Sequence, residues 1–160
     1  MAMDQFLKLD GIDGEAQDSK HKKEIDVLAW SWGASQSGTT HMGGGSGSGK
    51  ANFQDISVTK YVDSSSHKLL KSVAKGTHIK EALLTVRKAG DKPLEYIKLL
   101  MKNCLISSVS GGGSGGEDRL TENVTINFEE FEYTYTPQKA DGSGDSPLPF
   151  KFNIATNEEK

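Results

Sequence analysis

Cysteine is almost missing from this sequence of 160 residues, where Cys104 stands alone. A single thiol can form neither an intramolecular disulfide nor the multi-cysteine cluster of a structural zinc site, so the fold must rest on its core and suits a reducing compartment. Long apolar runs are missing too. The richest segment, Leu94 to Leu105, is interrupted by Glu95, Lys98 and Lys102, whereas a membrane-spanning helix needs about 20 predominantly apolar residues. Membrane insertion is therefore not expected. Neither sign of charge dominates: 19 Lys and Arg face 22 Asp and Glu, for a formal net charge of -3. Without a basic face, nucleic acid is not an expected partner. The amino-terminal stretch MAMDQFLKLDGIDGE has no basic region followed by an apolar one and no small-residue cleavage site. It does not read as a secretory signal, so synthesis in the cytoplasm is expected.

What is present is mostly β-patterned. Ile25 to Trp32 and Ile56 to Val62 alternate in side-chain character and are rich in β-branched and aromatic residues, which predicts strands. Residues 64–75 differ: a serine cluster suited to an N-cap precedes Leu69, Leu70, Val73 and Ala74 at helical spacing, and Gly76 follows at the C′ position. One short amphipathic helix is predicted there. Ile79 to Lys88 and Leu94 to Val109 flank a turn containing Gly90 and Pro93, which predicts a long hairpin. After the glycine-rich bridge Ser110 to Asp118, Val124 to Thr136 alternates again, with a change of phase near Phe128 that predicts a bulge. Phe150 to Ile154 makes a last strand before a charged tail at about 155–160. The pattern predicts one all-β domain over 1–160, a small two-sheet barrel or sandwich with one helix.

Two features are costly unless they serve assembly. The stretch 33–50, GASQSGTTHMGGGSGSGK, exceeds the length of about 12–15 residues beyond which a loop is usually functional or disordered. Several strands also carry apolar residues on both faces, more than one lone barrel of this size can bury, which points to partners.

Candidate chemistry is thin. Gly44 to Lys50, GGSGSGK, satisfies G-x-x-x-x-G-K, in which backbone amides cradle phosphates and the lysine reaches the outer ones. Position 51 is Ala where a hydroxyl should hold magnesium, and the following residues alternate like a strand instead of opening a helix. A flexible loop is the better reading. His21, His41, His67 and His78 never fall at a metal-binding pair spacing. Cys104 lies in an apolar strand run, a setting for a small hydrophobe and not for an activated thiolate. Gly45-Ser46-Gly47 and Gly113-Ser114-Gly115 sit in glycine-rich stretches that cannot hold a strained nucleophile. The pair Glu129-Glu130 would point to opposite strand faces. Trp30 and Trp32 share a strand face and could form a sugar or base platform, though core packing is the plainer role. No nucleophile, base and orienting group are visible together, so the residues disfavour an enzyme and imply no cofactor or metal.

Four blocks carry a resemblance further: FLKLDGIDGEAQD with HKKEIDVLAWSWGASQSG, HMGGGSGSGKANFQDISVTKYVD, KGTHIKEALLTVRKAG, and LISSVSGGGSGGEDRLTENVTINF with YTYTPQKADG. In this order they resemble the haemolysin-coregulated protein (Hcp) family over nearly the whole chain. The resemblance implies a β-barrel subunit with a short helix at its side, closing into a homohexameric ring. Such rings stack into the inner tube of a bacterial type VI secretion apparatus. It further implies expulsion of the tube by sheath contraction, effectors carried or chaperoned in the lumen, sheath and tip-spike partners, and secretion without a signal peptide. The loop would then reach the neighbouring ring, with stacking contacts at His41, Met42, Gly43, Gly44, Gly45, Ser46 and Lys50. Alternatives from other settings are a phage or tailocin tail-tube subunit, an effector enzyme built on the same fold, and a carbohydrate-binding β-sandwich using Trp30 and Trp32. The chain ends too soon after its last predicted strand for a toxic extension, which disfavours the effector enzyme.

Overall fold

The structure is a computed structural model that describes residues 3–38, 50–90 and 92–160. Its strands are β1 Met3–Leu9, β2 Ile25–Asp26, β3 Ala29–Ser31, β4 Ala34–Ser35, β5 Asn52–Phe53 and β6 Ile56–Tyr61, followed by helix α1 Ser66–Lys75. Then come β7 His78–Lys88, β8 Leu94–Gly112, β9 Thr121–Tyr135, β10 Leu148–Asn153 and β11 Glu158–Glu159. The main sheet runs β11-β10-β9-β8-β7-β1-β2, with β6 joined to both β9 and β3, while β4 and β5 form a separate pair.

The predicted hairpin is the spine of the molecule. β8 continues to Gly112, into the stretch that reads as a glycine-rich bridge, and pairs with β9 over nearly its whole length. One flank of β9 is shared, because its first half pairs with β6 and its second half with β10. Between those halves the side chains change phase. Buried Ile79, Cys104 and Phe128 lie at one level, and buried Ala82, Met101 and Phe131 at the next, so inward residues are three positions apart where a regular strand would space them by two. The change of phase expected near Phe128 is thus present, and β7 and β8 share it, but no strand gains a residue there: the shifts of register lie at Ile106/Ser108 between β8 and β9 and at Val86/Arg87 between β7 and β8. Asn103 absorbs the change in β8 with φ 55, and its amide donates to Glu129 Oε2 at 2.8 Å.

The expected barrel is not closed by hydrogen bonds. Ile25 to Trp32 does not form one strand: β2 pairs only with β1, and β3 only with β6. Between them Val27 N–H donates to Gln5 O at 2.9 Å and Leu28 N–H to Thr59 O at 2.8 Å. The chain therefore passes from one ladder to the other across two residues, and the sheet rolls up around Leu7, Ile25, Ile56, Val58, Leu84, Leu99, Met101 and Ile126, each at most 1% exposed. That arrangement buries a core while leaving the ladder discontinuous.

Helix α1 fills the space over β8. Gly76, at φ 61, ends it as expected, with Gly76 N–H donating to Val73 O and Thr77 N–H to Ser72 O at 3.0 Å. Its start departs from expectation, since Ser65 makes no side-chain cap and instead donates its hydroxyl to Asp63 Oδ1. Only one of the two helical leucines is core: Leu69 is fully buried and Leu70 is 60% exposed. We therefore expect Leu69→Ala to cost about 2–5 kcal/mol and Leu70→Ala to stay within about 0.5 kcal/mol of the parent, read from urea unfolding at one protein concentration.

Candidate assembly surface

β6 decides what the surface offers. Ile56, Val58 and Lys60 point inward, so Ser57, Thr59 and Tyr61 point outward. Pairing extends these into rows across four strands. Ser31, Ser57, Thr125 and Ser108 form one outward row; Ala29, Thr59, Asn123 and Ser110 form the next. Neighbours bond along them, Thr59 Oγ1 donating to Asn123 Oδ1 at 2.6 Å and the hydroxyls of Ser108 and Thr125 meeting at 2.5 Å. Asp55 closes one border, accepting from Ser107 at 2.6 Å and from Asn127 at 2.8 Å. Arg119 marks the other, its guanidinium 3.8 Å from the Tyr61 ring centroid. Between them the two rows carry no charge, in a chain of which 26% is charged.

The apolar surplus expected on the strands is present at Leu105, Tyr135, Leu148 and Phe150, which are 39–58% exposed, and more of it lies at the ends of this sheet. Beyond Tyr61 and Thr121, the side chains of Leu28, Val62 and Leu120 are 42–49% exposed. Near Ile56 and Val58, Trp30 and Trp32 line a cleft of about 380 Å³ with Ala34, Phe53, Phe131, Tyr133 and Phe150. Trp32 is held there, with Phe131 edge-on at 5.0 Å and its indole N–H donating to Gln54 O at 2.8 Å. Both tryptophans pack against the core, as the plainer reading of the pair expected.

The charges missing from the rows are partly inside. Lys60 is fully buried and stands directly opposite Glu122 in the β6–β9 register. Its ammonium lies 2.5 Å from Glu122 Oε1 and 3.0 Å from Asp63 Oδ1, and donates to Tyr61 O at 2.8 Å. Ser66, in the first turn of α1, donates to the same Glu122 oxygen at 2.6 Å. With every partner in place and no path to solvent, this lysine ties the helix to two strands and offers nothing to a substrate. At another edge Arg87 holds Asp18 by its two terminal guanidinium nitrogens, at 3.0 and 2.6 Å, and Asp4 at 2.9 Å. The hydrogen bonds from Arg87 keep the Asp18 carboxyl well below the usual carboxylate range.

The remaining sequence candidates are placed as follows. Cys104 is fully buried, and burial pushes its thiol up to about 12, the inert setting expected for it. Lys50 is exposed; His41, Met42, Gly43, Gly44, Gly45 and Ser46 lie outside the described residues. Ala51 leads into strand β5 and not into a helix, which removes the helix N-terminus that a phosphate loop needs. The ends of the long stretch meet where β4 pairs with β5, Ala34 opposite Phe53, and Gln54 N–H donates to Gly33 O at 2.9 Å. Among the described residues no group of three or more His, Cys, Asp or Glu is placed to hold a metal ion. No described helix is long and apolar enough to cross a membrane. Sequence reading missed the uncharged rows, although the Ser/Thr/Asn alternation in β6 and β9 was available as a signal.

A rolled antiparallel sheet with two uncharged outward rows, exposed apolar ends and a buried ion pair defines an all-β protein built on one rolled sheet with the helix α1. The family described as "Type VI secretion system effector, Hcp" matches residues 6–135. The chain is 54% identical to Protein hcp1 of Pseudomonas aeruginosa, over 98% of each chain. Among solved structures, one described as a type six secretion system protein aligns with TM-score 0.93 and 34% identity over 99% of this chain and 100% of the other. Hcp1 from Salmonella typhimurium aligns with TM-score 0.83 and 37% identity over all of both chains. The chain belongs to the Hcp family and is a type VI secretion tube protein.

The Lys60–Glu122 pair makes a specific prediction. Lys60→Ala leaves the Glu122 carboxylate buried and should cost about 3–5 kcal/mol in urea unfolding, whereas the double change Lys60→Met with Glu122→Leu should recover most of that loss.

Proposed function

We propose that this chain closes into a homohexameric ring whose lumen is lined by the uncharged rows of β3, β6, β9 and β8. Stacked, such rings form the inner tube, which sheath contraction expels behind a tip spike, with effectors carried or chaperoned inside. In this reading residues 1–160 act as one ring-building domain without catalysis of their own, made in the cytoplasm and exported by the tube's own ejection and not by a signal peptide. His41, Met42, Gly43, Gly44, Gly45, Ser46 and Lys50 would make contacts between rings, carried on a stretch whose base is the β4–β5 pair.

The observation that carries the reading is the absence of charge from the rows Ser31–Ser57–Thr125–Ser108 and Ala29–Thr59–Asn123–Ser110. A ring repeats each lining residue around a confined space, so one charge per subunit would become a band of like charge, repelling itself and selecting cargo by sign. Hydroxyl and amide groups hydrogen-bond to water or cargo alike, which permits reversible contact without a strong preference. The exposed apolar ends, Leu28, Val62 and Leu120 on one side and the Trp30–Phe150 cleft on the other, then suit contacts between subunits.

Buried Cys104 leaves a clean background for labelling. For Asn123→Cys, light scattering should give a mass near six times 17.3 kDa at every dilution, and electron microscopy should place a maleimide-gold label at the ring centre. A persistent monomer would overturn the ring, and label at the outer rim would overturn the lumen assignment.

A further inference from the structure

The segment Gly11 to Glu24 joins β1 to β2 and takes little part in the sheet, apart from the Leu9–Ile12 bridge. Within itself it is laced by Gly14 N–H to Lys23 O at 2.8 Å, Ala16 N–H to Glu24 O at 2.9 Å and Lys23 N–H to Ala16 O at 2.9 Å. Two side-chain links tie it to the body of the protein at this edge: Asp18 to Arg87 of β7, and His21 to Glu95 of β8.

His21 is the unusual member. Its side chain is 9% exposed and its ring stacks on Phe6 of β1, with centroids 4.4 Å apart and planes 10° from parallel. Nδ1 lies 2.9 Å from Glu24 Oε2, and Nε2 lies 2.9 Å from Glu95 Oε1. An ionised carboxylate only accepts, and a neutral imidazole has one N–H and one lone pair. Only the imidazolium, with two N–H groups, can satisfy both acids together. The other charges around the site are Asp18 on the same segment, Asp4 of β1 and Arg87 of β7, and Lys98 of β8, whose ammonium is 2.9 Å from Glu95 Oε2.

We propose that His21 is a pH-operated fastener that locks the segment Gly11 to Glu24 onto β8 when its ring is protonated and releases Glu95 when the ring is neutral. The choice of Glu95 follows from the partners each acid keeps. Glu95 retains Lys98, whereas Glu24 has its other oxygen buried without a partner and depends on His21. A neutral ring therefore keeps its N–H on Nδ1, toward Glu24, and turns a lone pair toward Glu95. The sign is fixed by this chemistry: while both carboxylates are ionised, protonation of the ring favours the fastened state and its deprotonation at higher pH releases it. The Asp18–Arg87 link stays in place over the same range because neither partner titrates there, so release is confined to the His21 side.

The test is hydrogen exchange by mass spectrometry on the full chain, at about pH 5.5 and about pH 8.5, with labelling times scaled for the intrinsic exchange rate. Protection of the peptide spanning Gly11 to Glu24 should fall about tenfold on going to the higher pH, while peptides from β7 and β8 beyond Glu95 do not change. In His21→Gln and in Glu95→Gln the dependence should vanish. Glu95 has a side chain 26% exposed, so its variant keeps the test open if His21→Gln does not fold. Equal protection of the wild-type segment at both pH values, or the same dependence persisting in a folded variant, overturns the proposal.

Discussion

The β8–β9 pairing is the constraint on which the rest of the architecture depends. Both strands are long enough to serve two halves of the molecule, and they do so by changing phase together at one level, with β7 following. An extra residue in one strand alone would put its apolar side chains on the wrong face beyond that point, since side-chain direction repeats every two residues. Here all three strands change phase at one level without a shift of register; the shifts lie at Ile106/Ser108 and Val86/Arg87. On one side of that level β9 takes β6, and on the other it takes β10. The uncharged face belongs to the first half, and the aromatic cleft lies where the two halves meet.

Charge placement follows from the same geometry. Lys60 and Glu122 occupy inward positions that continue the apolar rows of Ile56 and Val58 and of Val124 and Ile126. Burying them is costly unless each is fully partnered, and the partners come from the α1 entry, where Asp63 and Ser66 converge on the pair. The helix thus does more than cover β8: its first turn completes the satisfaction of an ion pair at the mouth of the roll. His21 and Arg87 serve the opposite purpose, since they fasten a connecting segment from outside the core.

Local elements were largely legible in the sequence because their signals are local. The αL glycine after Lys75, the alternation of Ile56 to Tyr61, the hairpin about Gly90 and the phase change near Phe128 each depend on residues close together in the chain. What could not be read depends on tertiary partners. The break of Ile25 to Trp32 into β2 and β3 arises because Val27 bonds to Gln5 and Leu28 to Thr59, choices that periodicity cannot express. Leu70 fits the helical spacing as well as Leu69 does, and only the position of β8 decides which is buried. The uncharged rows were hidden for a similar reason. Each residue is an ordinary outward serine, threonine or asparagine, and they become a face only when four strands distant in sequence are set side by side.

The inward ion pair and the outward neutral rows are two consequences of one register. If β6 slid by two residues against β9, every side chain would keep its face, but Lys60 would leave Glu122 and the apolar residues would exchange partners. Apolar pairs alone oppose such a slip weakly in their local contacts, because one β-branched residue substitutes well for another across Val58 and Val124 or Ile56 and Ile126. Lys60 and Glu122 oppose it strongly, since the slip would separate two opposite charges that are stable in the interior only when they face each other. The pair therefore fixes the register from within: an acid and a base that never reach the outward face decide which outward residues stand side by side in the rows.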